Sequence, residues 1–202
     1  MLERFRTFWE GVWTPAANAL LRRGVSPNLI TVIGTLGVCV GALVFFPQGL
    51  LWQGVLVVTA FVFSDMIDGQ MARLSGHPSA FGAFLDSTLD RFGDAAIFGG
   101  LVLYFAGPGD SKLYLTLSLV NLVMGSLTSY ARARAEAAGF NAKGGIAERA
   151  DRLLAILVAT FAADLLGQPI VLGAMLWLLA LATTATVIHR MRLVYRQALE
   201  RG

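Results

Sequence analysis

The chain has 202 residues, of which 56% are hydrophobic and 14% are charged, and its formal net charge is +3. Soluble domains carry about 25% charged residues, so this composition excludes an ordinary water-soluble globular protein. The 13 Phe and 4 Trp residues exclude a disordered chain, and the single Cys39 excludes a disulfide scaffold. An integral membrane protein remains, for which we expect no nucleic-acid partner.

Residues 1–24 precede the first long apolar segment and predict an amphipathic helix that lies in the membrane interface. Apolar residues recur there at helical spacing, with charged residues between them. A solvated helix packed on the bundle is the alternative. A signal peptide is not expected, because Glu3 and Glu10 interrupt the segment.

Long apolar segments then predict six transmembrane helices in an all-α membrane protein, at about 20 residues per span. The predicted spans cover residues 28–46, 51–74, 82–106, 113–135, 150–167 and 169–195. With short loops they leave no room for a separate soluble domain, so we expect residues 1–202 to form a single membrane domain.

The basic residues predict the orientation. Fifteen of the 16 Lys and Arg residues fall on the side of the termini, and only Lys112 falls on the other side. Because basic residues concentrate in cytoplasmic loops, we expect both termini to be cytoplasmic in a multi-pass protein of the plasma membrane.

Acidic residues are concentrated in the second and third predicted spans. The chain has 13 Asp and Glu residues, and five of them fall there: Asp65, Asp68, Asp86, Asp90 and Asp94. An ionised side chain inside a span costs about 2.5–3.5 kcal/mol on insertion scales, so this concentration indicates a function.

The spacing of these acids suggests metal binding. Asp65 and Asp68 are three residues apart and Asp86 and Asp90 four apart, so each pair lies on one face of a helix. A short connection joins the two spans, so the pairs are expected to face each other at similar depth. Four converging carboxylates suit two hard cations, Mg²⁺ or Mn²⁺, an arrangement that supports in-line phosphoryl displacement.

Two other interpretations of the acids stay open at this point. In one, Asp68 pairs with Arg73 and Asp90 pairs with Arg91 for stability alone. In the other, the acids belong to a small-cation or proton-coupled transporter. A transporter predicts acids along a path through the bilayer, whereas these gather near the cytoplasmic ends of two spans.

Taken in order, eight residues resemble the signature of the CDP-alcohol phosphotransferase family: Asp65-x2-Asp68-Gly69-x2-Ala72-Arg73-x8-Gly82-x3-Asp86-x3-Asp90. The resemblance implies an enzyme that transfers the phosphatidyl group of CDP-diacylglycerol to an alcohol hydroxyl and releases CMP. It also implies that the four Asp residues hold two divalent cations, that Asp90 is the general base, and that the protein is a homodimer.

The same resemblance implies a binding site for the CDP-linked donor. Its first part is the Pro-Asn-x-x-Thr element at the start of the first span, and Ser79 in the connection is interpreted as a further phosphate contact. The expected donor-binding residues are Asn28, Leu29, Ile30, Thr31, Gly69, Ala72, Arg73, Ser79 and Gly82.

Arginines at the ends of three spans predict an anionic acceptor, because the guanidinium group binds phosphate in a bidentate way. The segments 129–136 and 145–153 are similar to an actinobacterial branch of the family whose acceptor is inositol 1-phosphate and whose product is phosphatidylinositol phosphate. Glycerol 3-phosphate is the alternative acceptor. Glu148 and Asp151 are interpreted as partners that orient the arginines. The residues expected to bind the acceptor phosphate are Arg132, Arg134, Arg149, Arg152 and Arg190.

Overall fold

The computed structural model describes residues 14–74, 79–146 and 148–201, with side chains except those of residues 64–66. Helices and short turns make up this part of the chain, and no strand occurs within it. Most of the predicted interfacial segment 1–24 lies outside the described residues. Its described end is a helix, α1, over residues 14–22, and a turn with Gly24 at a φ of +77° follows it.

Seven further helices follow α1 in the described part of the chain. The first continues through a π-helical turn (Gly41–Phe45) and a 3-10 turn (Phe46–Gln48). The helices are α2 (Pro27–Val40), α3 (Leu51–Val62), α4 (Ser64–Leu74), α5 (Ala80–Ala106), α6 (Lys112–Ala137), α7 (Arg149–Leu165) and α8 (Pro169–Leu199).

Serine side chains cap three of these helices. Ser26 accepts a hydrogen bond from the Leu29 amide with Pro27 at the first helical position, Ser79 accepts one from Gly82, and Ser111 caps α6. Each cap satisfies an amide that the helix itself leaves unpaired, which fixes where the helix begins. The caps on α2 and α5 thereby fix the position of predicted donor-binding residues that lie at these helix starts.

Among the described residues, four helical segments are long and apolar enough to cross a membrane: Pro27–Gln48, Leu51–Leu74, Lys112–Ala137 and Pro169–Leu199. The part of the chain that the structure describes is therefore all-helical, with four candidate spans by this measure, against the six predicted. The two other predicted spans correspond to α5, whose first 15 residues carry three Asp residues and Arg91, and to α7, which has only 17 residues. Charge and length set these two helices apart from the rest.

The helices pack as a bundle in which α5 contacts α2 and α6, and α7 contacts α3 and α8. The buried apolar core draws on the second half of α5, including Ile97 and Leu101, and on Phe46 and Val58. Gly100 allows α5 to approach the backbone of Ala42 closely. The acidic half of α5 thus lies beyond the apolar core, toward the start of the helix.

Candidate active site

The signature acids lie on α4 and α5. Asp68 is 6% exposed and is hydrogen-bonded by the Thr31 side chain of α2. Asp86 and Asp90 lie close enough for their charges to act on that of Asp68. The structure therefore places these three carboxylates, from two helices, within range of one another's charge, and their joint role as metal ligands stays a prediction. The side chain of Asp65 is not among those described.

The carboxylates fit a hard cation in one respect. Within the described part of the chain, the buried Oδ2 of Asp68 has no hydrogen-bond partner, which is costly for a carboxylate unless something positive binds it. Among the described side chains, no three His, Cys, Asp or Glu residues form a complete metal centre. The four-carboxylate site, which needs Asp65, stays a prediction.

Arg73 at the end of α4 is oriented by Gln70 and not by Asp68. The Nε and one terminal nitrogen of Arg73 donate to the Gln70 Oε1, at 3.2 and 2.6 Å. The Nε2 of Gln70, which is 8% exposed, donates to Thr14 of α1 at 3.0 Å. The interpretation of Asp68 and Arg73 as a simple ion pair is not what the structure shows.

The two signature glycines differ in the space that a side chain would have: there is more room at Gly69 on α4 than at Gly82 on α5. Among the described atoms, a Cβ at Gly69 would meet only an Arg73 nitrogen, at 3.8 Å. A Cβ at Gly82 would lie 3.0 Å from the Ser79 hydroxyl oxygen and 3.2 Å from Oδ1 of Asn28. Three of the predicted donor-binding residues therefore converge where α2 and α5 begin.

The remaining predicted donor-binding residues differ in exposure. Thr31 is buried and contacts Asp68, whereas Leu29 is 49% exposed. Ile30 and Ala72 are partly buried. Leu29 thus presents an apolar surface rather than a polar contact.

An arginine-lined cavity of about 380 Å³ lies beside Asp90. Its walls come from α5, α6, α8 and the start of α7, and they include Thr128, Ser129 and Glu148. The lining arginines are Arg91, Arg132, Arg149, Arg152 and Arg190. Four of the five arginines predicted to bind the acceptor phosphate thus line one cavity, and Arg134 lies outside its lining.

Arg149 links this cavity to the signature acids. Its terminal NH1 lies 2.6 Å from Oδ1 of Asp90, and its Nε donates to Oδ1 of Asp94 at 3.0 Å. Arg91 lies 3.6 Å from Asp90 and 3.7 Å from Asp94, so the predicted contact between Arg91 and Asp90 is present but long. Opposite charges are therefore interleaved at the boundary between the acids and the cavity.

Sequence reasoning missed the partner of these arginines. Arg149 and Arg152 form their ion pairs with Asp90 and Asp94, whereas Glu148 and Asp151 were expected to orient them. The available signal was the position of Asp94, four residues after Asp90 and so on the same helical face.

Two other arginines of the cavity wall, Arg190 and Arg132, differ in how firmly their side chains are held. Arg190 is 4% exposed and donates to the Gly144 carbonyl at 3.2 Å and to the Thr128 carbonyl. Arg132 forms a 3.0 Å ion pair with Glu136, and both side chains are about half exposed. Arg190 is therefore a fixed cation, while Arg132 can move toward a ligand.

Residues 24–188 match the CDP-alcohol phosphatidyltransferase family, a match that covers most of the chain. The chain belongs to this family. It is an enzyme, which confirms the prediction from the signature and removes the transporter interpretation. All eight signature residues lie within the matched range.

Known members of the family resemble the chain over nearly its whole length. It is 53% identical over 203 residues to the phosphatidylinositol phosphate synthase of Cutibacterium acnes, covering 97% of this chain and 98% of that protein. The crystal structure of Mycobacterium tuberculosis phosphatidylinositol phosphate synthase with CDP-DAG bound has a TM-score of 0.87 at 40% identity, over 91% of this chain and 94% of that chain. The same enzyme in complex with manganese and citrate gives a TM-score of 0.85 at 40% identity, over 91% and 88%.

Proposed function

We propose that this protein transfers the phosphatidyl group from CDP-diacylglycerol to inositol 1-phosphate, giving phosphatidylinositol phosphate and CMP. The observation that carries the proposal is the cavity in which five arginines surround a space next to Asp90. An anionic acceptor is favoured there because guanidinium groups bind phosphate in a bidentate way. The similar enzymes of Cutibacterium acnes and Mycobacterium tuberculosis are phosphatidylinositol phosphate synthases.

The chemistry assigned to Asp90 follows from its place between the cavity and the other acids. We assign it as the general base that accepts the proton of the acceptor hydroxyl. The hydroxyl oxygen then forms a bond to the phosphatidyl phosphorus, and the bond from that phosphorus to the CMP oxygen breaks. Arg149, at 2.6 Å from Asp90, orients the carboxylate toward the cavity.

The donor is assigned to the opposite side of the acids. Asn28, Ser79 and Gly82 converge at the starts of α2 and α5, where unpaired helix amides favour phosphate groups. Arg73, held by Gln70, supplies a cation at the end of α4. We assign the pyrophosphate and cytidine of the donor to this region, with Gly69 leaving room for close approach.

The carboxylates of Asp65, Asp68, Asp86 and Asp90 are the residues that would hold two divalent cations, Mg²⁺ or Mn²⁺. The unpartnered buried oxygen of Asp68 supports this assignment within the described residues. The similar Mycobacterium tuberculosis enzyme has been solved in complex with manganese. When bound, such cations neutralise the charge that develops on the pyrophosphate as CMP departs.

The acceptor assignment is tested by CMP release from CDP-diacylglycerol in the presence of Mn²⁺. The purified protein is given inositol 1-phosphate, free inositol or glycerol 3-phosphate in separate reactions. We expect release with inositol 1-phosphate and none with free inositol, because the cavity arginines need a phosphate. Release with glycerol 3-phosphate and none with inositol 1-phosphate would overturn the acceptor assignment.

A matched pair of variants tests the cavity itself. Arg132 and Arg134 lie two residues apart at the end of α6, and only Arg132 lines the cavity. We expect Arg132→Gln to raise the KM for inositol 1-phosphate about tenfold and Arg134→Gln to leave it within about twofold, since one charge-assisted hydrogen bond supplies that much. Equal effects of the two substitutions would count against this cavity as the acceptor site.

We further propose a six-span topology, with α5 and α7 crossing the plasma membrane and with both termini and the active site cytoplasmic. The bias of fifteen basic residues to one side supports this orientation. In a Cys39→Ala background, an impermeant maleimide is expected to label Ser111→Cys on intact cells and Arg196→Cys only after permeabilisation. The reverse pattern would refute the orientation. We also propose a homodimer, which light scattering of the detergent-purified protein would test by its mass.

A further inference from the structure

Asp94 is a buried carboxylate outside the family signature and outside the predicted acceptor site. It lies on α5 one turn after Asp90 and is 7% exposed. It does not line the arginine cavity, so it is not placed to touch an acceptor. A buried carboxylate is retained only where cations or hydrogen-bond donors compensate its charge.

Both oxygens of Asp94 are engaged by arginines of the cavity wall. Oδ1 accepts from Nε of Arg149 at 3.0 Å, and Oδ2 accepts from NH2 of Arg152 at 3.2 Å. Arg91 approaches Oδ2 more distantly, at 3.7 Å. One carboxylate on α5 therefore fixes two arginines that lie three residues apart on α7.

Of the arginines in the cavity wall, Arg152 is the one whose charge depends most on the contact with Asp94. It is 1% exposed, and its other hydrogen bond is a long one, 3.4 Å, from NH1 to the Gly125 carbonyl. A Cβ at Gly125 would lie 3.3 Å from Cζ of Arg152, so α6 leaves just enough room for the guanidinium. Without Asp94, the charge of Arg152 would be buried with little compensation.

Arg149 is held at one end by Asp94 and at the other by Asp90. Nε contacts Asp94 while NH1 contacts Asp90, and the side chain is 29% exposed. Since a guanidinium has five N–H groups, these two contacts leave donors for an anion in the cavity. The contact with Asp94 fixes the plane of the guanidinium and hence the direction of those donors.

We propose that Asp94 is a positioning residue for the acceptor phosphate, acting by fixing the guanidinium groups of Arg149 and Arg152 in the cavity wall. The proposal rests on the proposed function, in which these arginines bind the acceptor. Asp94 sets acceptor affinity without touching acceptor, donor or metal. Its loss therefore changes one Michaelis constant selectively, which a purely structural role would not do.

The test compares Asp94→Asn with Asp164→Asn in steady-state CMP release. Asp164 is a matched control, because its Oδ2 accepts the Trp52 amide at 2.8 Å and joins α7 to α3 away from the cavity. We expect Asp94→Asn to raise the KM for inositol 1-phosphate about ten- to a hundredfold. The KM for CDP-diacylglycerol and the Mn²⁺ concentration for half-maximal activity are expected to stay within about twofold of the unsubstituted protein's values, as are all three constants for Asp164→Asn.

The proposal is overturned if Asp94→Asn leaves the acceptor KM unchanged or raises the KM of donor and acceptor alike. If Asp94→Asn cannot be purified in folded form, Asp94→Glu keeps the charge but displaces it by one methylene. That variant must then raise the acceptor KM selectively, and an unchanged value overturns the proposal. If the unsubstituted protein uses glycerol 3-phosphate instead, the proposed acceptor is wrong, and the same comparison made with glycerol 3-phosphate still decides the role of Asp94.

Discussion

Gly145 is the residue at which a single added methyl group should most directly disturb the acceptor side of the site. It lies in the segment that joins α6 to α7, shortly before Glu148 and Arg149, and its φ is +144°. A Cβ there would overlap the methyl group of Thr186 on α8 and would lie 3.2 Å from its hydroxyl oxygen. Thr186 is fully buried.

The overlap cannot be relieved by rotating the threonine. Its hydroxyl donates to the Ala182 carbonyl at 2.8 Å and accepts the Ile146 amide at 3.2 Å, so both contacts hold the side chain in one rotamer. A non-glycine residue at this φ costs about 1–3 kcal/mol, and overpacking a buried site costs about 1–3 kcal/mol more. We therefore expect Gly145→Ala to lower the free energy of unfolding by about 2–6 kcal/mol.

A double-mutant cycle with Thr186→Ser separates the two costs. Serine keeps the hydroxyl that Ile146 needs and removes the overlapping methyl group, at about 1 kcal/mol by itself. In that background Gly145→Ala should lose the overlap with the methyl group and retain the backbone cost and the 3.2 Å contact with the hydroxyl oxygen, which gives a coupling energy of about 1–3 kcal/mol. Unfolding in mixed detergent and SDS micelles, followed by tryptophan fluorescence, measures each free energy.

Gly144→Ala is the control within the same segment. Gly144 has a φ of +98°, and a Cβ there would meet no described atom within 4 Å, so only the backbone cost of about 1–3 kcal/mol applies. We expect the acceptor KM to rise for Gly145→Ala and to fall back in the double variant. If Gly145→Ala costs the same with Thr186 and with serine at that position, steric overlap is not the cause and the reasoning fails.

Three further predictions address the acids and the donor side. Asp90→Asn should reduce kcat for CMP release by about 10²- to 10⁴-fold with little change in donor KM, and retention of full activity would exclude it as the base. Asp68→Asn should raise the Mn²⁺ concentration for half-maximal activity at least about tenfold, and an unchanged metal titration would refute its assignment as a ligand. Gln70→Ala should raise the KM for CDP-diacylglycerol about five- to tenfold by releasing Arg73, and a rise in the acceptor KM alone would contradict that role.

The arrangement of the acids was largely predictable from the sequence. Helical spacing places Asp86 and Asp90 on one face of α5, and α4 and α5 both pack against α2, which brings Asp68 within reach of their charges. The resemblance to the family rests on these same residues. Local periodicity accounts for this much because Asp68, Asp86 and Asp90 all lie between residues 68 and 90, on two helices that are consecutive in the chain.

The same periodicity could have separated Arg132 from Arg134. Residues two apart on a helix point in nearly opposite directions, so one arginine facing the cavity directs the other away from it. Because Arg132 and Arg134 are close in the sequence, both were predicted to bind the acceptor phosphate. Arg149 and Arg152, three apart, share a face and both line the cavity.

The partners of Arg149 and Arg152 could not be obtained in this way. Asp94 lies 55 and 58 residues before them, and the pairing depends on how α7 packs in the bundle. Acids nearer in the sequence were the natural candidates, but Asp151 lies two residues after Arg149 and directly before Arg152, and residues so spaced on a helix do not face each other. Long-range ion pairs are set by helix packing, which the sequence pattern does not specify.

These pairings also explain why hydropathy does not find α5 among the candidate spans of the described residues, whereas α7 is set apart by its length of 17 residues. The charges that lower the apolar character of α5 and α7 are largely the ones that meet each other, as in the 3.2 Å pair of Asp94 and Arg152. Charges inside a membrane protein are tolerated where they pair within the bundle, so their cost to each helix is offset in the assembled structure. Hydropathy is evaluated for each helix separately, so Asp94 lowers the value for α5 and Arg152 lowers the value for α7. At their contact, however, the two charges neutralise each other. For α5, whose charges pair within the bundle, a lower apolar character is therefore compatible with crossing the membrane, which supports the six-span proposal.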